Sequence, residues 1–72
     1  MARPKLLSDR EVEVLSLIVR GYINKEIAEQ LNISITTVIS HRKNIMAMLG
    51  VRSVSALTIY AVMHGYVDIS DI

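Results

Sequence analysis

The 72-residue sequence contains no cysteine. That excludes disulfides and thiolate metal sites, and a reducing cytoplasm suits such a chain. It also lacks the parts of a reaction centre. There are no paired histidines and no glycine-rich phosphate loop, and a helical reading brings no Ser/His/Asp set together. No apolar run is long enough to span a bilayer. The start, Met1-Ala2-Arg3-Pro4-Lys5, is basic but leads into no apolar stretch, so a secretory signal is not expected. What remains is one small domain that is not an enzyme, with no cofactor, metal or membrane partner expected. Its hydrophobic content of 51% is enough for a modest core without staples.

A second absence is more informative. The acids are Asp9, Glu11, Glu13, Glu26, Glu29, Asp68 and Asp71, so none lies between Gln30 and Val67. That central span carries Arg42, Lys43 and Arg52 together with His41 and His64. The net charge is only +1, and an acidic first third with a basic middle reads either as one face meant for polyanions or as chance clustering in a short chain.

Within this span, Ser34 to Leu49 reads as one amphipathic helix of about four turns. Val38, Ile45 and Leu49, with His41 or Arg42 between them, recur at the three-and-four spacing of a buried face. The other side presents Thr36, Ser40, Lys43 and Ala47, all small or cationic. Small and cationic suits a DNA major groove, where bulk clashes with bases and negative charge repels phosphate. The stretch is therefore expected to be a recognition helix.

The remaining segments read as its support. Ser8 and Glu11 form the reciprocal pair of a capping box, and Leu7 can staple onto Val12. Val14, Leu15 and Ile18 supply a buried stripe up to Gly21. Asn24 is the expected cap of a second helix whose inner face is Ile27, Ala28 and Leu31. Asn32 can take the left-handed conformation that stops it, and Ser34 caps the third helix. Helix, tight turn and helix make the DNA-binding supersecondary unit. Gly50 closes the long helix, Ser53 caps a fourth, and Gly65 stops that one. The expected fold is all-α, a compact four-helix domain with helices near 9–20, 25–31, 35–49 and 54–64. Residues 1–6 are read as a basic arm, 7–66 as the domain, and 67–72 as a tail without assigned structure. The fourth helix is apolar around its whole circumference. Leu57 and Ala61 are expected to face the core, leaving Ile59, Val62 and Met63 for a partner.

Taken together, several of these residues resemble the LuxR-type helix-turn-helix domain, also found at the C-terminus of NarL/FixJ response regulators. They are Leu7-Ser8-Asp9-Arg10-Glu11, Val14-Leu15, Gly21, Asn24-Lys25-Glu26-Ile27-Ala28, Leu31, Ile33-Ser34, Thr37-Val38, His41, Asn44-Ile45 and Leu49-Gly50-Val51. The likeness spans roughly residues 6 to 66, with many points at fixed spacing. It implies a bacterial transcription-regulation module of two-component systems that binds double-stranded DNA with its third helix in the major groove. It further implies a homodimer through the fourth helix, contact with RNA polymerase, and a covalently linked sensor or receiver domain absent from this chain. By position, it places Ile39, Ser40 and Lys43 toward bases, and Lys25, Thr36, Thr37 and Arg42 toward phosphates and helix ends. Two positions depart from the pattern. Ile39 stands where a basic residue is common, and Met48 where a lysine is common. Loss of those cations weakens phosphate binding, while Ile39 can instead meet a thymine methyl.

Each residue also has a plainer reading. Lys43 is then a solvated lysine, Arg42 a side chain with its stem packed at the edge of the buried stripe, and Thr36 and Thr37 part of a helix end. Lys25 lies near the start of the second helix, where a phosphate would also meet free amides. His41 is expected to pack against the second helix, and His64 to sit at a helix end without further ligands. The rival function is a protein-binding or dimerisation module on the same fold, with weak or lost DNA affinity.

Overall fold

Four helices succeed one another in a computed structural model that describes residues 7–72: α1 (Asp9–Val19), α2 (Asn24–Leu31), α3 (Ile35–Leu49) and α4 (Val54–Met63). A short 3-10 turn, Ile69–Asp71, follows them. The basic arm expected over residues 1–6 lies outside the described residues. Among the described residues there is no strand, and the all-α reading holds.

Local chemistry sets each helix start. Glu11 N–H donates to Ser8 Oγ at 3.2 Å, and Ser8 N–H donates to Glu11 Oε1 at 2.9 Å, completing the capping box. Leu7, just before it, is buried, and Val12 packs against the core, as a hydrophobic staple requires. Ser34 and Ser53 cap α3 and α4 by accepting the amides of Thr37 and Ala56, each at 3.1 Å.

The start of α2 departs from expectation. Asn24 is not the cap but the first helical residue, and the extended residue before the helix is Ile23. The reason is the position of Glu26, which accepts the Ile23 N–H at 2.9 Å and so registers the box one residue earlier. Isoleucine has no acceptor to return, so only half of the box is made.

All four helices stop in the same way. Gly21, Asn32, Gly50 and Gly65 take positive φ, and each sets up the pair of backward bonds of a Schellman turn. At the end of α3, Gly50 has φ +68, Val51 N–H donates to the Met46 carbonyl at 3.1 Å, and Gly50 N–H to Ala47 at 3.3 Å. Asn32, with φ +56, does the same at the end of α2, where Ile33 N–H reaches the Ala28 carbonyl at 3.0 Å. α1 and α4 end one residue short of the expected 20 and 64: Arg20, still right-handed helical in its backbone, and His64 are the C-caps.

The core is one cluster. Val14 and Leu15 of α1, Ile27 of α2, Val38 and Ile45 of α3, and Leu57 and Ala61 of α4 are fully buried. α1 lies at its centre, packed on α2, α3 and α4, while α2 packs on α3. Ala28 is buried where a larger residue would hold the two helices of the helix-turn-helix apart.

The tail, unassigned from sequence, is ordered by three contacts. Val67 is buried in the core, Asp68 caps the 3-10 turn, and Arg20 pairs with Asp71 at 3.7 Å. The Ser70 backbone N–H and then its hydroxyl donate to Asp68 Oδ1, at 3.0 and 2.9 Å, and hold that carboxyl below its ordinary value.

Leu57 is completely buried, so Leu57→Ala is expected to remove about 2–5 kcal/mol of stability. In a domain of this size that is a large share of a total near the low end of roughly 5–15 kcal/mol. Urea unfolding followed by circular dichroism measures it. A loss under about 1 kcal/mol would mean that the site collapses without a cavity.

Candidate nucleic-acid interface

α3 has one face held and one face free. Val38 and Ile45 are fully buried, whereas Thr36, Ser40, Lys43 and Ala47 are exposed. Their spacing of four, three and four puts these four on one side of the helix. Ile39 is also exposed and lies beside Thr36 and Lys43 on the same surface. Asn44, one turn beyond Ser40, is exposed too and widens the polar face. Asn44 is among the residues that carry the family likeness, and it was not among those expected on this face. Its four-residue spacing from Ser40 was the available signal, and an asparagine amide can pair with adenine N6 and N7.

The cations of this region are unclaimed. Among the described residues, Arg10 pairs with Glu13 and Arg20 with Asp71, both at 3.7 Å. Lys25, Arg42, Lys43 and Arg52 have no carboxylate partner among the described residues. Lys43 and Lys25 are exposed and Arg42 is half-buried, so the Arg42 stem is partly covered. His41 is half-buried as well.

The two helices of the helix-turn-helix start differently. At α3, the hydroxyls of Ser34 and Thr37 lie 2.8 Å apart, so the Thr37 side chain is drawn into the cap while Thr36 stands clear of it. At α2, no side chain caps the first turn. The leading amides of that helix therefore have no side-chain acceptor from a cap, and Lys25 among them is exposed. Asn24 is half-buried, and its Oδ1 is buried without a hydrogen-bond partner.

A second surface lies on α4. Leu57 and Ala61 point into the core, as the pattern predicts, while Ile59 and Met63 are 62% and 76% exposed. Val62 is half-buried and packs partly on the core. Ile69 and Ile72 of the tail join them around an apolar groove of about 350 Å³. Their contribution was invisible in sequence, since no structure was assigned to the tail. His64, at the end of α4, stacks on Tyr60 with ring centroids 4.0 Å apart, and Tyr60 stacks on Tyr66 at 6.4 Å. That stack accounts for the position of the histidine.

A helix-turn-helix whose second helix presents an exposed, acid-free, cationic face defines a DNA-binding domain of transcription regulators. Comparison with known proteins gives the same class. The chain belongs to the family described as "Bacterial regulatory proteins, luxR family", whose profile matches residues 5–61. It is 53% identical over 57 residues to the "Oxygen regulatory protein NreC" of Staphylococcus aureus strains JH9 and USA300. That alignment covers 79% of this chain and 26% of each relative. The chain thus spans about a quarter of the length of the curated relatives it matches.

The cap of α3 carries a direct prediction. Ser34→Ala is expected to cost about 1 kcal/mol, because it leaves the Thr37 amide without its acceptor. Thermal unfolding measures the loss, and Ser34→Asp is expected to restore most of it.

Proposed function

We propose that this chain is the DNA-binding effector domain of a bacterial response regulator, acting in a two-component system in the cytoplasm. α3 enters the major groove of double-stranded DNA, where Lys43 and Ser40 face bases and Ile39 makes apolar contact. Arg42, Lys25, Thr36 and Thr37 serve phosphates, Lys25 together with the uncapped amides of α2. The observation that carries this reading is the exposed face of α3, which holds Lys43 without a carboxylate partner and contains no acid. Binding as a homodimer through Ile59, Val62 and Met63 of α4 places two half-sites about one helical turn, or a simple multiple, apart. A receiver domain joined to this one and RNA polymerase are the further partners of this reading.

The alternative is a protein-binding module on the same fold. The apolar groove on α4 favours it, as does the small net charge of +1.

Fluorescence anisotropy against duplex DNA, titrated at several salt concentrations, decides between them. The association constant is expected to fall linearly with salt on logarithmic axes. Lys43→Ala is expected to weaken binding to a selected site by about 1–3 kcal/mol, whereas Arg42→Ala lowers the salt slope by about one. No binding at low salt by the folded domain would leave the protein-binding alternative.

Self-association is tested apart from DNA. Met63 is the most exposed of the apolar α4 residues, so Met63→Glu leaves the core intact and sets like charges against each other across a two-fold contact. Sedimentation of the variant with and without a two-half-site duplex is expected to show loss of the dimer. An unchanged profile would remove α4 from the interface.

A further inference from the structure

Two isoleucines stand exposed along one edge of the α3 surface. Ile35 is 46% and Ile39 39% exposed, one turn apart. Neither is among the apolar side chains packed against the core. One exposed aliphatic residue is ordinary on a protein surface. Two in succession border a face whose other members are Thr36, Ser40, Lys43 and Asn44, and give that edge an apolar strip of its own.

The major groove offers one such partner. Of the groups that base pairs display there, the C5 methyl of thymine is apolar, and the others are hydrogen-bond donors or acceptors. A branched aliphatic side chain against guanine O6 and N7, or against the cytosine amino group, strips water from a polar group and returns no hydrogen bond. The same side chain against a thymine methyl removes apolar surface from water on both sides. The identity of residue 39 therefore discriminates by attraction at one base and by penalty at the others.

We propose that Ile39 is a specificity-determining residue that packs on a thymine C5 methyl, with Ile35 one turn earlier shielding that contact from water. This rests on the reading in which α3 enters the groove. It deepens that reading by naming the chemical group recognised, and it makes each half-site include an A·T pair at a set position.

The test isolates the methyl group. Duplexes are selected from a random-sequence library with the 72-residue chain, and the best is resynthesised with each thymine replaced in turn by uracil. Uracil lacks the methyl and keeps every hydrogen-bonding group. Replacement at one position per half-site is expected to weaken binding about fourfold, the effect of one buried methyl-sized group. Ile39→Ala, at an exposed position and with its fold checked by circular dichroism, is expected to bind the thymine and uracil duplexes equally. Tolerance of uracil at every position overturns the proposal, and so does a uracil penalty undiminished in Ile39→Ala; either result leaves DNA binding by α3 standing. Failure to bind any duplex at low salt instead removes the groove-binding reading, and this inference with it.

Discussion

The structure depends on α1 being buried among the other three helices. Val14 and Leu15 have no exposed surface and Ile18 almost none, and the helix packs on α2, α3 and α4 alike. Two helices joined by a three-residue turn cannot bury both of their apolar faces by themselves. α1 supplies the missing surface, so Val38 and Ile45 of α3 are covered and the opposite face of that helix is left to solvent at a set angle. A DNA reader needs this combination, because a side chain can select a base only if its backbone is held in place.

The electrostatics follow from where the acids are placed. Glu11 and Glu26 accept backbone amides before α1 and α2, Asp68 caps the tail turn, Glu13 faces Arg10, and Asp71 holds Arg20. Most carboxylates thus serve the scaffold at helix ends or in pairs on the side of α1 and the tail. None is left within α3 to neutralise Lys43 or Arg42. A chain with a net charge of only +1 still presents a cationic face, because its negative charges are engaged elsewhere. The one helix start without a side-chain cap is that of α2, beside Lys25, where an anion can take the place of the missing acceptor.

Most helix boundaries were legible because the signals that set them are local. A serine three residues before an amide, or a glycine that alone tolerates positive φ, acts within one turn and needs no distant contact. The failure at α2 has the same origin. Asn24 and Ile23 compete for the cap, and the outcome depends on which amide the Glu26 carboxylate reaches, a matter of geometry that residue preference does not contain. The tail was missed for a different reason. Asp71 is held by Arg20 and Val67 is buried in a core built mostly by α1 to α3, too far back in the chain for a short window to join them. Of the candidate DNA-facing residues, Ser40, Lys43 and Thr36 were readable from helical spacing alone. Asn44, four residues beyond Ser40, lies on the flank of the same surface and is exposed.

By itself, then, the sequence determined the four helices, their stops and most of the residues that face the core. These rest on periodicity and capping, which act over three to five residues. Helical spacing adds which apolar residues face outward, but only the tertiary structure decided how far each remains exposed and what lies beside it. Ile39, Ile59 and Met63 are as hydrophobic as Ile45 and Leu57, yet the first three are exposed and the last two are buried. Hydropathy cannot separate them, because burial depends on which helix packs on which side. Packing around α1 covers one face of α3 and one of α4, and so leaves an edge for the groove and a patch for a second surface.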